Sequence, residues 1–267
     1  MKNKILAQGA EATITLSNNF IIKDRIKKPY RIKEIDEKIR KQRTKKEAKL
    51  LEKASSIINC PKPFFIPDKI SYKIKMPFIK GKKLSEHLNN FQENKQIEIM
   101  KQIGQNVAKL HDNNIIHGDL TTSNMILVEE DNLKEVNNKN INLINNHINH
   151  NIADLKANRN NINNISNKTN SYSMNLTNNS NNEVGGRRKE DGNFKVFFID
   201  FGLGFHSTRI EDKAVDIHLL KQALEAKHFK NWKKLFDGVL IGYLNYKEYK
   251  QVLEQLNKVE RRGRYKH

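Results

Sequence analysis

No run in the chain approaches the roughly 20 consecutive apolar residues that a membrane-crossing helix needs, and mean hydropathy is −0.77. Behind the basic start Met1-Lys2-Asn3-Lys4 there is no apolar stretch of the kind a secretory leader carries, so export is not expected. Cysteine is nearly absent: Cys60 alone cannot close an internal disulfide, which fits a reducing compartment, and no His/Cys spacing suggests zinc. Hydrophobic residues make up only 37% and aromatic residues 7%, yet 267 residues leave length for one or two domains with a buried core. The expectation is a soluble protein of the cytoplasm and/or nucleus with no membrane partner.

What is abundant is asparagine and positive charge, and the two lie apart. Between Asn137 and Asn182, 20 of 46 residues are Asn, with neither a helical nor a strand period. Such a tract cannot bury enough apolar surface to offset its ordering entropy, so 130–193 reads as a disordered insertion. That stretch has a net charge of only +1 of the total +19, leaving +18 on the other 203 residues. Lys23 to Lys53 holds 14 basic against 6 acidic residues, and Lys258 to His267 forms a basic tail with 5 against 1. A basic folded part suggests a polyanionic partner, nucleic acid ahead of membrane. A merely solvated surface in a Lys/Asn/Ile-rich composition accounts for the excess equally well.

Alternation predicts strands at Ala12–Leu16 and Phe20–Lys23, joined by the turn Ser17-Asn18-Asn19. A helical period follows from Ile32 to about Ser55. Further strands are expected at Phe64-Phe65-Ile66 and at Ser71–Met76. A helix then runs from about Asn94 to His111 on the stripe Ile99, Ile103, Val107, Leu110. Met125–Val128 and Lys195–Ile199 read as apolar strands on either side of the Asn-rich tract, and everything beyond Glu211 reads helical. Strands lead and helices follow, which implies a small β-rich lobe and then a helical one.

The chemistry centres on His117-Gly118-Asp119-Leu120-Thr121-Thr122-Ser123-Asn124. An Asp and an Asn five positions apart, on a loop between a helix and a strand, can converge on one point. The Asp can accept a proton from a hydroxyl or orient a water, and the Asn oxygen suits Mg²⁺, which prefers oxygen ligands. Asp200-Phe201-Gly202 ends the second strand. A hairpin of the two strands would bring Asn124 and Asp200 together across 76 positions, because loop-closure cost grows only logarithmically with length. Lys23 ends the strand Phe20-Ile21-Ile22, with Lys27 and Lys28 as competing cations, and Glu47 lies on the next helix. A Lys held by a Glu, opposite Asp–Mg²⁺ and Asn–Mg²⁺, makes a phosphoryl-transfer site in which charge neutralisation supplies most of the catalysis.

At these residues the sequence resembles the protein-kinase fold. Gln8-Gly9-Ala10-Glu11-Ala12 stands where a glycine-rich loop would be, and His-Gly-Asp replaces His-Arg-Asp. With Thr-Thr-Ser-Asn, Arg43-Thr-x-x-Glu-Ala, Glu211 to Asp216 and a terminal Arg262-Gly263-Arg264, the set resembles the small atypical kinase/ATPase subunit (PRPK-type) of the KEOPS, or EKC, complex. The resemblance implies a bilobal α+β kinase-like fold, with an N-lobe of about 1–78 and a minimal C-lobe of about 79–267 that lacks an activation segment. It implies ATP and Mg²⁺ as cofactors and Asp119 as the catalytic aspartate. Asn124 and Asp200 become the Mg²⁺ ligands, and Lys23 with Glu47 the phosphate-positioning pair. Gln8, Gly9, Ala10 and Glu11 would cover the nucleotide. Met76-Pro77-Phe78-Ile79 would be the hinge, with Pro77 offering its carbonyl and Ile79 its N–H, and Asp216 would brace the catalytic loop.

The same resemblance implies assembly with the threonylcarbamoyl-transferase subunit and other KEOPS subunits, in support of tRNA threonylcarbamoyladenosine formation. Contact with tRNA would run through the basic surface and the C-terminal tail. Two rival readings share some of these residues: a small-molecule phosphotransferase of the aminoglycoside or choline kinase type, and a catalytically idle scaffold in the same complex.

Overall fold

Asn18 and Asn19 both have positive φ, 48° and 64°, the geometry of a two-residue hairpin turn whose twist matches its strands. In the computed structural model, which describes residues 4–64, 72–129 and 194–263, this turn organises the first sheet. It joins β2 (Ala12–Ser17) to β3 (Phe20–Arg25), with β1 (Lys4–Gln8) and β4 (Lys73–Pro77) outside them, all antiparallel in the order β1-β2-β3-β4. β1 is exposed along its whole length, so no alternation of apolar residues announces it. Phe64 makes only an isolated bridge to Lys75 where a strand was expected; Phe65 and Ile66 lie outside the described residues.

One long helix, α1 (Lys33–Ser55), accompanies this sheet and buries Leu50, Leu51 and Ala54 in the core beside Ile74 and Met76. It also buries two acids, Asp36 and Glu47. Asp36 receives Arg40 Nε at 2.7 Å and the backbone N–H of Lys28 at 3.2 Å. Burial works to raise its pKa, and these bonds outweigh it and hold the carboxyl below the usual value.

The second half contains β5 (Lys82–Lys83), α2 (Leu84–His87), α3 (Glu93–Asp112), β6 (Ile115–Ile116) and β7 (Met125–Glu129). Beyond the Asn-rich tract come β8 (Phe194–Phe198), β9 (Phe205–His206), α4 (Ile210–Lys227), α5 (Trp232–Tyr243) and α6 (Tyr249–Gly263). β7 pairs antiparallel with β8 from Met125↔Phe198 to Glu129↔Phe194, so the two strands flanking the tract form the expected hairpin. The tract itself lies outside the described residues.

α3 and α5 cross backbone to backbone. A Cβ on Gly104 would stand 2.0 Å from Val239 O, and one on Gly242 would stand 2.0 Å from Lys101 O. Ile99, Met100, Ile103, Leu235 and Val239 close the core around that crossing.

All described residues belong to one compact unit, the bilobal α+β kinase-like fold. Residues 203–209 alone separate Gly202 from α4, too little chain for an activation segment. The expected basic tail differs from expectation: 258–263 continue α6, because Val252, Leu256 and Val259 keep packing on the core, and Arg262 pairs with Glu211 at 2.6 Å. Residues 264–267 lie outside the described chain. No described helix is long and apolar enough to cross a membrane.

Candidate active site

The loop after β6 is held from beneath. Asp216, buried on α4, accepts the backbone N–H of His117 at 2.8 Å and that of Gly118 at 2.9 Å. His111 Nε2 lies 3.3 Å from the same carboxylate. Two charge-assisted bonds to successive amides pin the turn. Gly118 adopts φ +78°, and a Cβ there would meet Leu203 O at 2.5 Å, so the position that carries Arg in His-Arg-Asp has room only for glycine.

His117 ties the loop to the end of β8. Its Nε2 donates to Ile199 O at 3.2 Å, its Nδ1 accepts the Asp119 N–H at 3.3 Å, and its ring lies 4.5 Å from that of Phe201. Burial keeps the imidazole pKa below its ordinary value despite nearby carboxylates, so the ring is a neutral strut rather than a base. Asn124 donates from Nδ2 to Asp119 Oδ2 at 2.8 Å and to Asp119 O at 3.0 Å. Its two amide protons are thereby directed at Asp119, which leaves Oδ1 as the oxygen it can offer elsewhere.

Asn124 O accepts the Ile199 N–H at 2.9 Å, and this contact brings Asp200 beside the loop. Asp200 itself has φ +61°, and its Oδ1 accepts the Gly202 N–H at 3.1 Å and Lys23 Nζ at 2.7 Å. Lys23 Nζ is also 2.7 Å from Glu47 Oε1. Burial opposes the Lys23 charge, but Glu47 and Asp200 together raise its pKa above the ordinary value. Burial likewise pushes Asp200 up, and the Lys23 ammonium overrides it and holds the carboxyl below its usual range. Lys23 and Asp200 both stay charged at neutral pH. Lys28, a rival for the lysine role in the sequence, instead donates to Ala10 O on the turn between β1 and β2.

A cavity of about 370 Å³ opens beside this cluster, within the size range of small-ligand pockets. Lys23, Glu47, Asn124 and Asp200 form its polar end, while Met76, Pro77 and Ile79 lie on its wall. Gln8, Gly9, Ala10 and Glu11 do not reach that wall; Leu6 and Ala7 of β1 do. The four form an exposed turn in which Gly9 N–H bonds Ala12 O and Glu11 pairs with Arg43 at 2.8 Å. Asp119 is likewise not a wall residue, and it is attached to the site through Asn124. No cluster of three or more His, Cys, Asp or Glu that could hold a metal exists among the described residues. The available donor set is one carboxylate and one amide oxygen. That suits Mg²⁺, which keeps waters and shares its shell with phosphates.

Residues 3–137 match the protein kinase domain family. The chain is 32% identical to the KEOPS complex subunit Bud32 of Pyrococcus abyssi, over 98% of this chain and 96% of that protein. The chain belongs to the Bud32 family of protein kinases. The EKC/KEOPS complex subunit bud32 of Dictyostelium discoideum is 30% identical over 98% of this chain and 83% of that protein. A probable bifunctional tRNA threonylcarbamoyladenosine biosynthesis protein of Methanobrevibacter smithii is 33% identical across all of this chain, which spans 38% of that protein. These similarities favour the kinase of the complex over the small-molecule phosphotransferase reading.

For this Bud32-family chain, sequence reasoning overlooked Arg25, whose NH2 lies 2.5 Å from Glu47 Oε2. It also overlooked Leu6, Ala7, Ile14, Ile21 and Lys83 on the cavity wall. The period of two was the available signal. Ile21, Lys23 and Arg25 share one face of β3, and Ile14 is the cross-strand partner of Lys23. Cys60 plays no part: burial pushes its thiol up to about 12.

Proposed function

We propose that this chain cleaves ATP in a Mg²⁺-dependent reaction, as an ATPase and atypical serine/threonine kinase within a KEOPS complex, in support of tRNA threonylcarbamoyladenosine formation. One observation carries the reading. Lys23 Nζ stands 2.7 Å from both Glu47 and Asp200 at the polar end of a nucleotide-sized cavity, with the Asp119–Asn124 pair alongside. Lys23, aimed by Glu47, contacts phosphate oxygens. Asp119 accepts the proton of the attacking hydroxyl or water. Pro77 O and Ile79 N–H hold the base, with Leu6 and Ala7 of β1 on the same cavity wall. Asn124 Oδ1 and the Asp200 carboxylate would hold Mg²⁺, which supplies charge neutralisation at the β- and γ-phosphate oxygens. Lys23 and the Gly202 N–H both engage Oδ1 of Asp200, so Oδ2 of this 47% exposed side chain is the oxygen it would offer the ion.

The lobes meet near residue 78, and the nucleotide lies between them. The names of the relatives support membership of a KEOPS complex; within it the chain assembles with a threonylcarbamoyl-transferase subunit and other KEOPS subunits, in the cytoplasm and/or nucleus. Contact with tRNA runs through the exposed face of α1, where Lys38, Lys41, Lys45, Lys46, Lys49 and Lys53 stand outward, and through the basic chain end. The test is ATP turnover with and without the transferase subunit and tRNA, on the wild type, Asp119→Ala and Asp200→Ala. Loss of turnover in both variants, with complex assembly retained, supports the reading. Unchanged turnover in both makes the chain an idle scaffold.

A further inference from the structure

Glu47 is held by two cations, and only one of them belongs to the lysine–glutamate pair that phosphoryl transfer calls for. Lys23 Nζ binds Oε1 at 2.7 Å and Arg25 NH2 binds Oε2 at 2.5 Å. The carboxylate side chain is 1% exposed and Arg25 6%, so neither contact is a screened surface pairing. Both cations come from β3, two residues apart, and therefore from the same face of the strand.

A buried arginine would ordinarily satisfy its whole guanidinium. Here Nε is buried without a hydrogen-bond partner, so the guanidinium is aimed at Glu47 at the expense of its own saturation. Burying a cation in this way is costly and argues for a positional role. The Arg25 backbone is itself fixed on both sides. Its N–H donates to Tyr72 O at 3.2 Å, and its carbonyl accepts Arg40 NH1 at 3.5 Å. Arg40 in turn is paired with buried Asp36 at 2.7 Å.

In regulated kinases the lysine–glutamate pair is set from outside the lobe, by an ordered and phosphorylated activation segment that positions the helix carrying the glutamate. Here only residues 203–209 follow Gly202 before α4, and a lever of that kind has no counterpart in them. We propose that Arg25 is a positioning residue for phosphoryl transfer: by binding the second oxygen of Glu47 it fixes, from within β3, the carboxylate that aims Lys23, so the pair stands assembled without an activation segment. This rests on the phosphoryl-transfer reading above. Without Arg25, Glu47 is free to rotate about its last torsion. Lys23, facing two carboxylates with no second cation to share them, is drawn towards Asp200 and away from the phosphates.

The test is a double-mutant cycle on the 267-residue chain, in the presence of whichever partner subunit turnover requires: Arg25→Ala, Glu47→Gln and the two combined. Three quantities are read, namely kcat for ATP cleavage, Kd for a non-hydrolysable ATP analogue with Mg²⁺, and thermal midpoint. A misaimed lysine lowers kcat about 100-fold, while Kd for the analogue stays within about threefold because the apolar wall is intact. Beside Glu47→Gln, where there is no carboxylate left to aim, Arg25→Ala changes kcat by less than about twofold. Arg25→Lys keeps a charge near Oε2 and recovers at least about tenfold of the loss.

An equal kcat loss from Arg25→Ala in both backgrounds overturns the proposal, as does a fall in thermal midpoint with kcat unchanged. If Arg25→Ala does not fold, the same cycle run with Arg25→Lys decides: a loss that vanishes beside Glu47→Gln supports positioning, and one that persists refutes it. Asp200→Ala separates the two levels. Intact cleavage there overturns the parent reading and this one with it, whereas a dead Asp200→Ala beside an unaffected Arg25→Ala overturns this one alone.

Discussion

Replacing Asp216 by Asn changes one atom and tests whether the catalytic loop is held from α4. The carboxylate is 1% exposed, so solvent screening does not discount its bonds. It accepts the N–H of Gly118 at Oδ1 and of His117 at Oδ2, at 2.9 and 2.8 Å. An asparagine can accept one of these amides through its oxygen, but it turns an NH₂ towards the other. One charge-assisted bond is lost, the survivor weakens to a neutral one, and a buried N–H is left opposite a donor. At roughly 1.5–3 kcal/mol for the charged bond and 1–3 kcal/mol for an unsatisfied donor, partly relieved by relaxation, the cost is about 2–4 kcal/mol. In a protein with this amount of folded chain that lowers Tm by about 6–12 °C. The assay is thermal unfolding followed by circular dichroism, with ATP turnover measured well below the transition. Turnover falls as well, because Asp119 loses its fixed approach. A Tm drop below about 2 °C together with unchanged turnover would refute the bracing role.

Lys23→Met removes the phosphate-facing charge yet leaves Glu47 paired with Arg25, so kcat for ATP cleavage falls about 100- to 1,000-fold with the protein still folded; steady-state turnover beside circular dichroism checks both halves. Gly118→Ala forces a side chain into φ +78° and against Leu203 O, and thermal melting should register a loss of about 2–3 kcal/mol. His228 is buried against Asn89 Oδ1 at 2.7 Å and Thr122 Oγ1 at 3.1 Å, and burial lowers its pKa from 6.5 to about 4. Because the folded value is the depressed one, the unfolded chain takes up this proton first. The stability concerned is whole above pH 6.5 and drains away as pH falls towards 4. Urea midpoints between pH 4 and 7 should therefore decline less steeply for His228→Gln than for the wild type, and parallel slopes would remove histidine from the account.

Much of this architecture is legible in one dimension wherever a periodic pattern coincides with burial. The stripe Ile99, Ile103, Val107, Leu110 reads as a helix and is one, Glu93–Asp112. The Asn18-Asn19 pair reads as a turn because asparagine tolerates positive φ, and both residues adopt it. The β1 strand carries no such signal because all five of its residues are exposed and none joins the core. The end of α6 was misread as a tail because a basic count says nothing about Leu256 and Val259 packing underneath.

The candidate site divides the same way. Asp119 and Asn124 are close in the sequence, and a short loop must keep them close in space, so their partnership was determined locally. The ion pairs Lys23 makes with Glu47 and Asp200 and the hydrogen bonds Asp216 makes to the loop depended on contacts between elements far apart in the chain. So did the second cation on Glu47 and the failure of the Gln8–Glu11 turn to reach the cavity wall. Sequence alone determines what each segment can become, since propensity and hydrophobic period act over a few residues. Which charges then share a desolvated pocket was decided only when the sheet and α1 packed together, because an ion pair gains its strength from the low dielectric that packing creates.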